Sequence, residues 1–202
     1  MRLSMTLLIV LVTVLVSWRA FGDRALLERL LLWPPAIERR RQYERLLTYG
    51  FVHADWMHLL FNMVTLWSFG SAVERVFGAA LGPLGFLLFY LSAIVVAILP
   101  TYLAHRRDPY YRSLGASGGV SAVLFAYILF DPWSRLFIFP IPVPIPAVLF
   151  ALAYVGYSIW MDRRGAGNVN HSAHLWGAAY GVLFTVLLEP RVLGHFARSV
   201  FG

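Results

Sequence analysis

The chain has no cysteine and no lysine among its 202 residues. Without cysteine there is no disulfide framework and no thiol chemistry, and the redox compartment leaves no mark on the sequence. Without lysine, all 17 basic residues are arginine, set against 10 acidic ones. Charge is scarce altogether: 13% of the residues are charged, 59% are hydrophobic, and the mean hydropathy is +0.68. Soluble domains carry about 25% charged and about 45–50% apolar residues, so this composition excludes an ordinary soluble domain and assigns the chain to a bilayer. The net charge of +7 does not imply nucleic acid, because no basic segment with interleaved aromatics stands apart from the apolar runs. That charge sits in the connections between the runs, where loops meet anionic headgroups. Internal repeats are absent too, as is low-complexity sequence beyond one alternation of prolines.

Six stretches approach the ~20 apolar residues that a membrane helix needs. They are residues 3–18, 57–76, 84–103, 117–130, 145–161 and 172–188. The expected fold is therefore an all-α, multi-pass integral membrane protein, one domain over residues 1–202. The fourth stretch is short, which would start Ser117 below the membrane surface. The first could be read as a signal peptide behind Arg2, but Ser17-Trp18-Arg19-Ala20 lacks a small-x-small cleavage pattern. Between the first two stretches, Leu26, Leu27, Leu30 and Leu31 form an apolar stripe with charges opposite, an amphipathic helix for the headgroup plane. Pro34 and Pro35 are expected to end it, and residues 43–52 to form another surface turn or helix. Prolines at 140, 142, 144 and 146 forbid helix and favour an extended connection. The glycine-bearing hydrophilic stretch 162–170 reads as a mobile loop.

Polar side chains inside apolar spans are costly, so each marks a site. His58 and Asn62 are four apart and share a helix face, where both can donate into one pocket or simply bond a neighbouring helix. Ser117, in "GASGG", stands where a loop meets a helix. Its hydroxyl there either caps the helix or is a nucleophile beside free N–H groups that favour an oxyanion. Ser121, one turn on, lines the same pocket. His174 is followed by Gly177 and Gly181, which leave one flank of the last span smooth for close helix approach. Gly118, Ala122 and Ala126 give the fourth span a matching flank. Packed together, these flanks would bring His174 to Ser117. A serine beside a neutral imidazole, facing amide and imidazole donors, has the parts for acyl transfer. Glu74 is the one acid within the apolar spans, near an end, so this is a dyad and another group must orient His174. A metal site from His171 and His174 with His53 or His58 lacks a firm third ligand, and His105 and His195 read as surface residues. No cofactor and no metal is called for.

Taken together, these motifs resemble the rhomboid family of intramembrane serine proteases from about Tyr43 to Glu189. The family's His-x-x-x-Asn is matched by His58 to Asn62, its Gly-x-Ser-Gly by Gly115 to Gly118, and its Ala-His-x-x-Gly-x-x-x-Gly by Ala173 to Gly181. Each motif alone is weak, but three in order, each on its own span, are specific. The resemblance implies a six-helix bundle around a water-filled cavity, with Ser117 as nucleophile and His174 as base and then acid. It also implies an oxyanion site formed by the Ser117 N–H, His58 and Asn62, and a structural role for Glu74 and Arg75. The implied reaction is peptide hydrolysis within or beside a transmembrane segment of another membrane protein. Its partners are such substrates and the lipid bilayer, in a plasma or inner membrane.

Three departures stand out. Glu44 precedes Arg45 where the family commonly has tryptophan, which alters how the first loop is anchored. Ser121 stands where some members have a tyrosine stacked on the base, leaving Tyr180, His171 or another side chain to take that place. With cytoplasmic termini, as the resemblance implies, 12 arginines lie outside and 5 inside, the reverse of the positive-inside rule. Two other classes compete. A non-catalytic rhomboid-like binder or chaperone of transmembrane helices typically lacks the serine or the histidine, and both are present. A transporter would use intramembrane His and Asn, but gives no reason for Gly-x-Ser-Gly paired with a glycine-flanked histidine.

Overall fold

A computed structural model describes residues 4–138, 141–165 and 169–202, in which every long apolar run is a helix. Helix α1 is Met5–Phe21; α2 (Arg24–Leu30), α3 (Pro34–Arg40) and α4 (Arg45–Thr48) follow, with a 3-10 turn at Tyr49–Phe51. Then come α5 (Trp56–Leu81), α6 (Gly85–His105), α7 (Ser117–Phe130), strands β1 (Arg135–Ile138) and β2 (Ile141–Pro146), α8 (Ala147–Arg164), α9 (His171–Leu188) and α10 (Arg191–Phe201). Among the described residues the fold is all-α apart from one antiparallel pair of strands. Of these helices, α6 is long and apolar enough to cross a membrane on length and composition alone, while α1 and α7 are apolar but shorter. Helix α5 is diluted by His58, Asn62, Glu74 and Arg75, and α9 by His171 and His174.

Helix α7 is the centre. Eleven of its 14 residues are buried, and it packs on α5, α6, α8, α9 and α10. Its sequence is apolar all round, as a helix enclosed by others must be. Fourteen residues rise only ~21 Å against a hydrocarbon core of ~30 Å. The outer helices instead expose large apolar side chains, among them Leu11 and Leu15 on α1, Leu60, Val64 and Trp67 on α5, and Leu149 and Leu152 on α8. A belt of that kind marks a surface made for lipid.

The first loop differs in detail from its sequence reading. Pro34 and Pro35 open α3 rather than merely closing α2, because proline at the first helical position removes only an N–H that had no partner. Residues 43–52 turn inward: Tyr49, Val52 and Arg45 are buried. Arg45 donates to the carbonyls of Glu28 (2.8 Å) and Leu31 (2.7 Å) and to Gln42 Oε1 (2.7 Å). One guanidinium thus ties the loop together through backbone, with no tryptophan before it. Arg40 and Arg112 lie over the Trp33 ring at 5.9 and 4.4 Å from its centroid. Arg40 and Arg45 of this loop are therefore engaged in internal contacts, together with Arg112 from the connection between α6 and α7.

Glu74 of α5 fastens the start of α1. Its carboxylate accepts from Ser4 Oγ, the Met5 N–H, the Thr6 N–H and Thr6 Oγ1 at 2.7–3.0 Å, satisfying helix-end donors that have no intrahelical partner. The proline-rich connection is extended, and it pairs. Leu136 opposes Ile145 and Arg135 opposes Pro146 in an antiparallel ladder. Prolines at every second position leave all the remaining N–H groups of β2 on the side of β1, so the missing donors fall on the open edge. Pro140 lies outside the described residues, as do positions 166–168 of the glycine-bearing loop.

Candidate active site

The turn before α7 is shaped by close packing. Gly115 has φ +117, and a Cβ there would lie 2.6 Å from His58 Cε1, so only glycine fits. Its N–H donates to the Tyr49 carbonyl (2.9 Å), and the next N–H, that of Ala116, donates to His53 Nε2 (3.3 Å). Ala116 is the N-cap and makes no side-chain cap bond. Ser117 is thus the first helical residue, and its hydroxyl is not used for capping. The first N–H groups of α7 have no intrahelical acceptor.

Helix α9 brings His174 to this point. Asn170 caps it, accepting from the Ala173 N–H (3.0 Å) and from Thr101 Oγ1 of α6 (3.1 Å). Helices α7 and α9 meet backbone to backbone: a Cβ on Gly177 would fall on the Gly118 carbonyl, and one on Gly181 on the Ala122 carbonyl. Ser117, Gly118 and His174 consequently line one cavity of about 1140 Å³, with His58 and Asn62 on its α5 side. No hydrogen bond joins Ser117 to His174 among the described residues. Catalytic hydrogen bonds are often long in a ligand-free site.

The His174 ring stacks on Tyr154 of α8, with centroids 5.9 Å apart and an interplanar angle of 14°. Ser121 Oγ lies 2.7 Å from Tyr154 Oη. Tyr180 is engaged elsewhere, stacking on Phe89 and bonding Ser92. His171 meets His174 edge-on at 5.7 Å and carries a buried Nδ1 without a hydrogen-bond partner among the described residues. The sequence reading missed Tyr154, and the one available signal was a serine at 121 able to bond a tyrosine hydroxyl.

His58 and Asn62 share a face of α5. Asn62 Nδ2 donates to the His58 carbonyl (2.9 Å), and the His58 ring packs against Gly115 and meets His53 edge-on at 4.9 Å. His53 is completely buried, and burial beside His58 pushes it down to about 3, so it is neutral. His105 is not simply a surface residue: it stacks on Tyr111 at 3.8 Å on the cavity rim. His195 is exposed, 2.8 Å from the Phe130 carbonyl oxygen. Among the described residues no three His, Asp or Glu side chains gather as a metal site would require.

A family model described as a Rhomboid domain matches residues 40–191. The chain belongs to the rhomboid family. It is 32% identical over 181 residues to RHOMBOID-like protein 12, mitochondrial, of Arabidopsis thaliana, covering 84% of this chain and 53% of that protein. Rhomboid protein 1, mitochondrial, of Saccharomyces cerevisiae is 32% identical over 138 residues, 67% of this chain and 39% of that one. Rhomboid protease GluP of Bacillus subtilis is 28% identical over 162 residues, 80% of this chain and 29% of that one. This rhomboid chain therefore spans about half or less of the length of these relatives.

Proposed function

We propose that this rhomboid protein is an intramembrane serine endopeptidase with a Ser117–His174 dyad. The observation that carries the reading is the glycine contact of α7 with α9, which puts a serine not used for capping and a histidine on the wall of one cavity. Ser117 Oγ attacks the scissile carbonyl while His174 takes its proton; His174 then gives that proton to the leaving amine. The Ser117 N–H, His58 and Asn62 stabilise the tetrahedral oxyanion, and removing one such donor costs on the order of 100–1000-fold in rate. Water then enters the cavity and releases the acyl-enzyme. Tyr154, held by Ser121, orients the His174 ring in place of a carboxylate.

Six helices, α1, α5, α6, α7, α8 and α9, cross the membrane in this reading, as one rhomboid domain over the chain. The substrate enters laterally past α8, which buries only Ala147 and Ser158 among its 18 residues and so separates most easily. A substrate span must unwind to offer its carbonyls, which favours small or helix-breaking residues near the cut. In this reading, which rests on the family resemblance, the protein lies in a plasma or inner membrane with the active site on the extracytoplasmic face. The test is cleavage, in proteoliposomes, of single-span reporter segments carrying glycine or proline near one end. Cleavage should vanish in Ser117→Ala and His174→Ala; cleavage that survives Ser117→Ala overturns the reading, and binding of spans without any cleavage favours the binder.

A further inference from the structure

One buried chain of hydrogen bonds runs from α1 to the nucleophile turn and lies outside the dyad. Ser17 of α1 and His53 are both completely buried. The Ala116 N–H donates to His53 Nε2 at 3.3 Å, so that nitrogen carries a lone pair and the ring proton is on Nδ1. Nδ1 lies 2.9 Å from Ser17 Oγ and donates to it. Ser17 in turn donates to the Phe51 carbonyl at 3.0 Å. Every donor in the run has an acceptor, and the direction of each bond is fixed by the next. His53 does not line the cavity, so it cannot touch a substrate there.

We infer that His53 is a positioning residue: through its bond to the Ala116 N–H, and braced by Ser17, it sets the placement of Ser117. The inference rests on the reading of Ser117 as the nucleophile. Ala116 immediately precedes Ser117, and the Gly115 N–H is already held by the Tyr49 carbonyl. With both N–H groups tied, the Ser117 N–H is the next in the turn, and it has no backbone acceptor outside the helix among the described residues, on a residue that lines the cavity. Loss of the His53 acceptor strands a buried N–H, which must find another partner, and at Gly115 no side chain restricts the backbone rotation that would bring it to one. A displacement of ~1 Å at a nucleophile is worth on the order of 100-fold in rate. Binding, which uses the cavity walls, should be unaffected.

The experiment is fluorophosphonate inactivation of the full chain, purified in detergent, across a range of probe concentrations. In His53→Leu the limiting inactivation rate should fall about 10–100-fold while the half-saturating concentration stays within about twofold. In His53→Gln, whose Oε1 can accept where Nε2 did, the rate should return to within about fivefold of wild type. Ser17→Ala should slow wild type several-fold but have no further effect on His53→Leu, because it acts only through His53. A His53→Leu protein of wild-type rate overturns the inference. So does a His53→Gln protein that regains its melting temperature but not its rate. If His53→Leu does not fold, Ser17→Ala decides: a wild-type rate there overturns the inference. Labelling that persists in Ser117→Ala instead sinks the assignment of the nucleophile and leaves the packing role of His53 untouched.

Discussion

Gly177 of α9 lies directly against the carbonyl of Gly118 on α7, with no space between them for a single methyl group. This contact, between backbones rather than side chains, sets the distance across which Ser117 and His174 face each other. Gly177→Ala is expected to push the helices apart, lower stability by about 1–3 kcal/mol and abolish labelling of Ser117. Gly156→Ala on α8, where a Cβ meets nothing within 4 Å, should leave labelling intact and raise stability by up to about 1 kcal/mol. Thermal unfolding and probe labelling of the two variants, measured side by side, check this.

Tyr154 is the second determinant of His174 geometry. Tyr154→Phe keeps the stacked ring and should retain most activity, whereas Tyr154→Leu should lower the inactivation rate by about 10-fold as the imidazole loses its orientation. Ser121→Ala leaves the tyrosine hydroxyl without its partner and should cost about 1 kcal/mol of stability. Inactivation kinetics on the three variants separate ring from hydroxyl.

His53 makes stability depend on pH. Its folded value of about 3 lies below the ~6.5 of an unfolded histidine, so between those values the unfolded chain binds more protons. Stability then rises with pH through this window and is lost as pH falls from about 6.5 toward 3, by at most ~1.4 kcal/mol per pH unit for one group. Melting temperatures at pH 7.5 and 4.5 should show this loss, and His53→Gln should show a smaller one. An equal pH dependence in that variant would remove His53 as its source.

Glu74 holds the start of α1 and is not among the residues that line the cavity. Glu74→Gln removes the charge that strengthens its bonds to Ser4, Met5 and Thr6, and should cost about 1–3 kcal/mol. The melting temperature should drop while the per-molecule labelling rate at low temperature stays at the wild-type level.

Much of the site could be read from residue spacing because its parts are local. The i, i+4 spacing of His58 and Asn62, the small-residue flanks of Gly177 and Gly118, and the glycine-serine turn before α7 each lie within one helix or turn. Tyr154 was not legible: it meets His174 only because α8 packs on α9 in one rotational register, and nothing within either helix specifies that register. His53 was given no role once a metal site was set aside, since its partners come from α1 and from the turn at Ala116, 36 and 63 residues away. The proline alternation revealed extended backbone but not its pairing with residues 135–138. Helix α10 went unread because it is short and amphipathic rather than apolar, so it did not stand out among the apolar runs.

The central claim is that Ser117 is the nucleophile, and covalent capture tests it most directly. Wild-type protein treated with a fluorophosphonate probe and digested should yield a single adduct, located by mass spectrometry on the peptide containing Ser117. His174→Ala should lower its yield by at least about 100-fold, and Ser117→Ala should give none. An adduct on a different serine, or one that survives Ser117→Ala, would contradict the account.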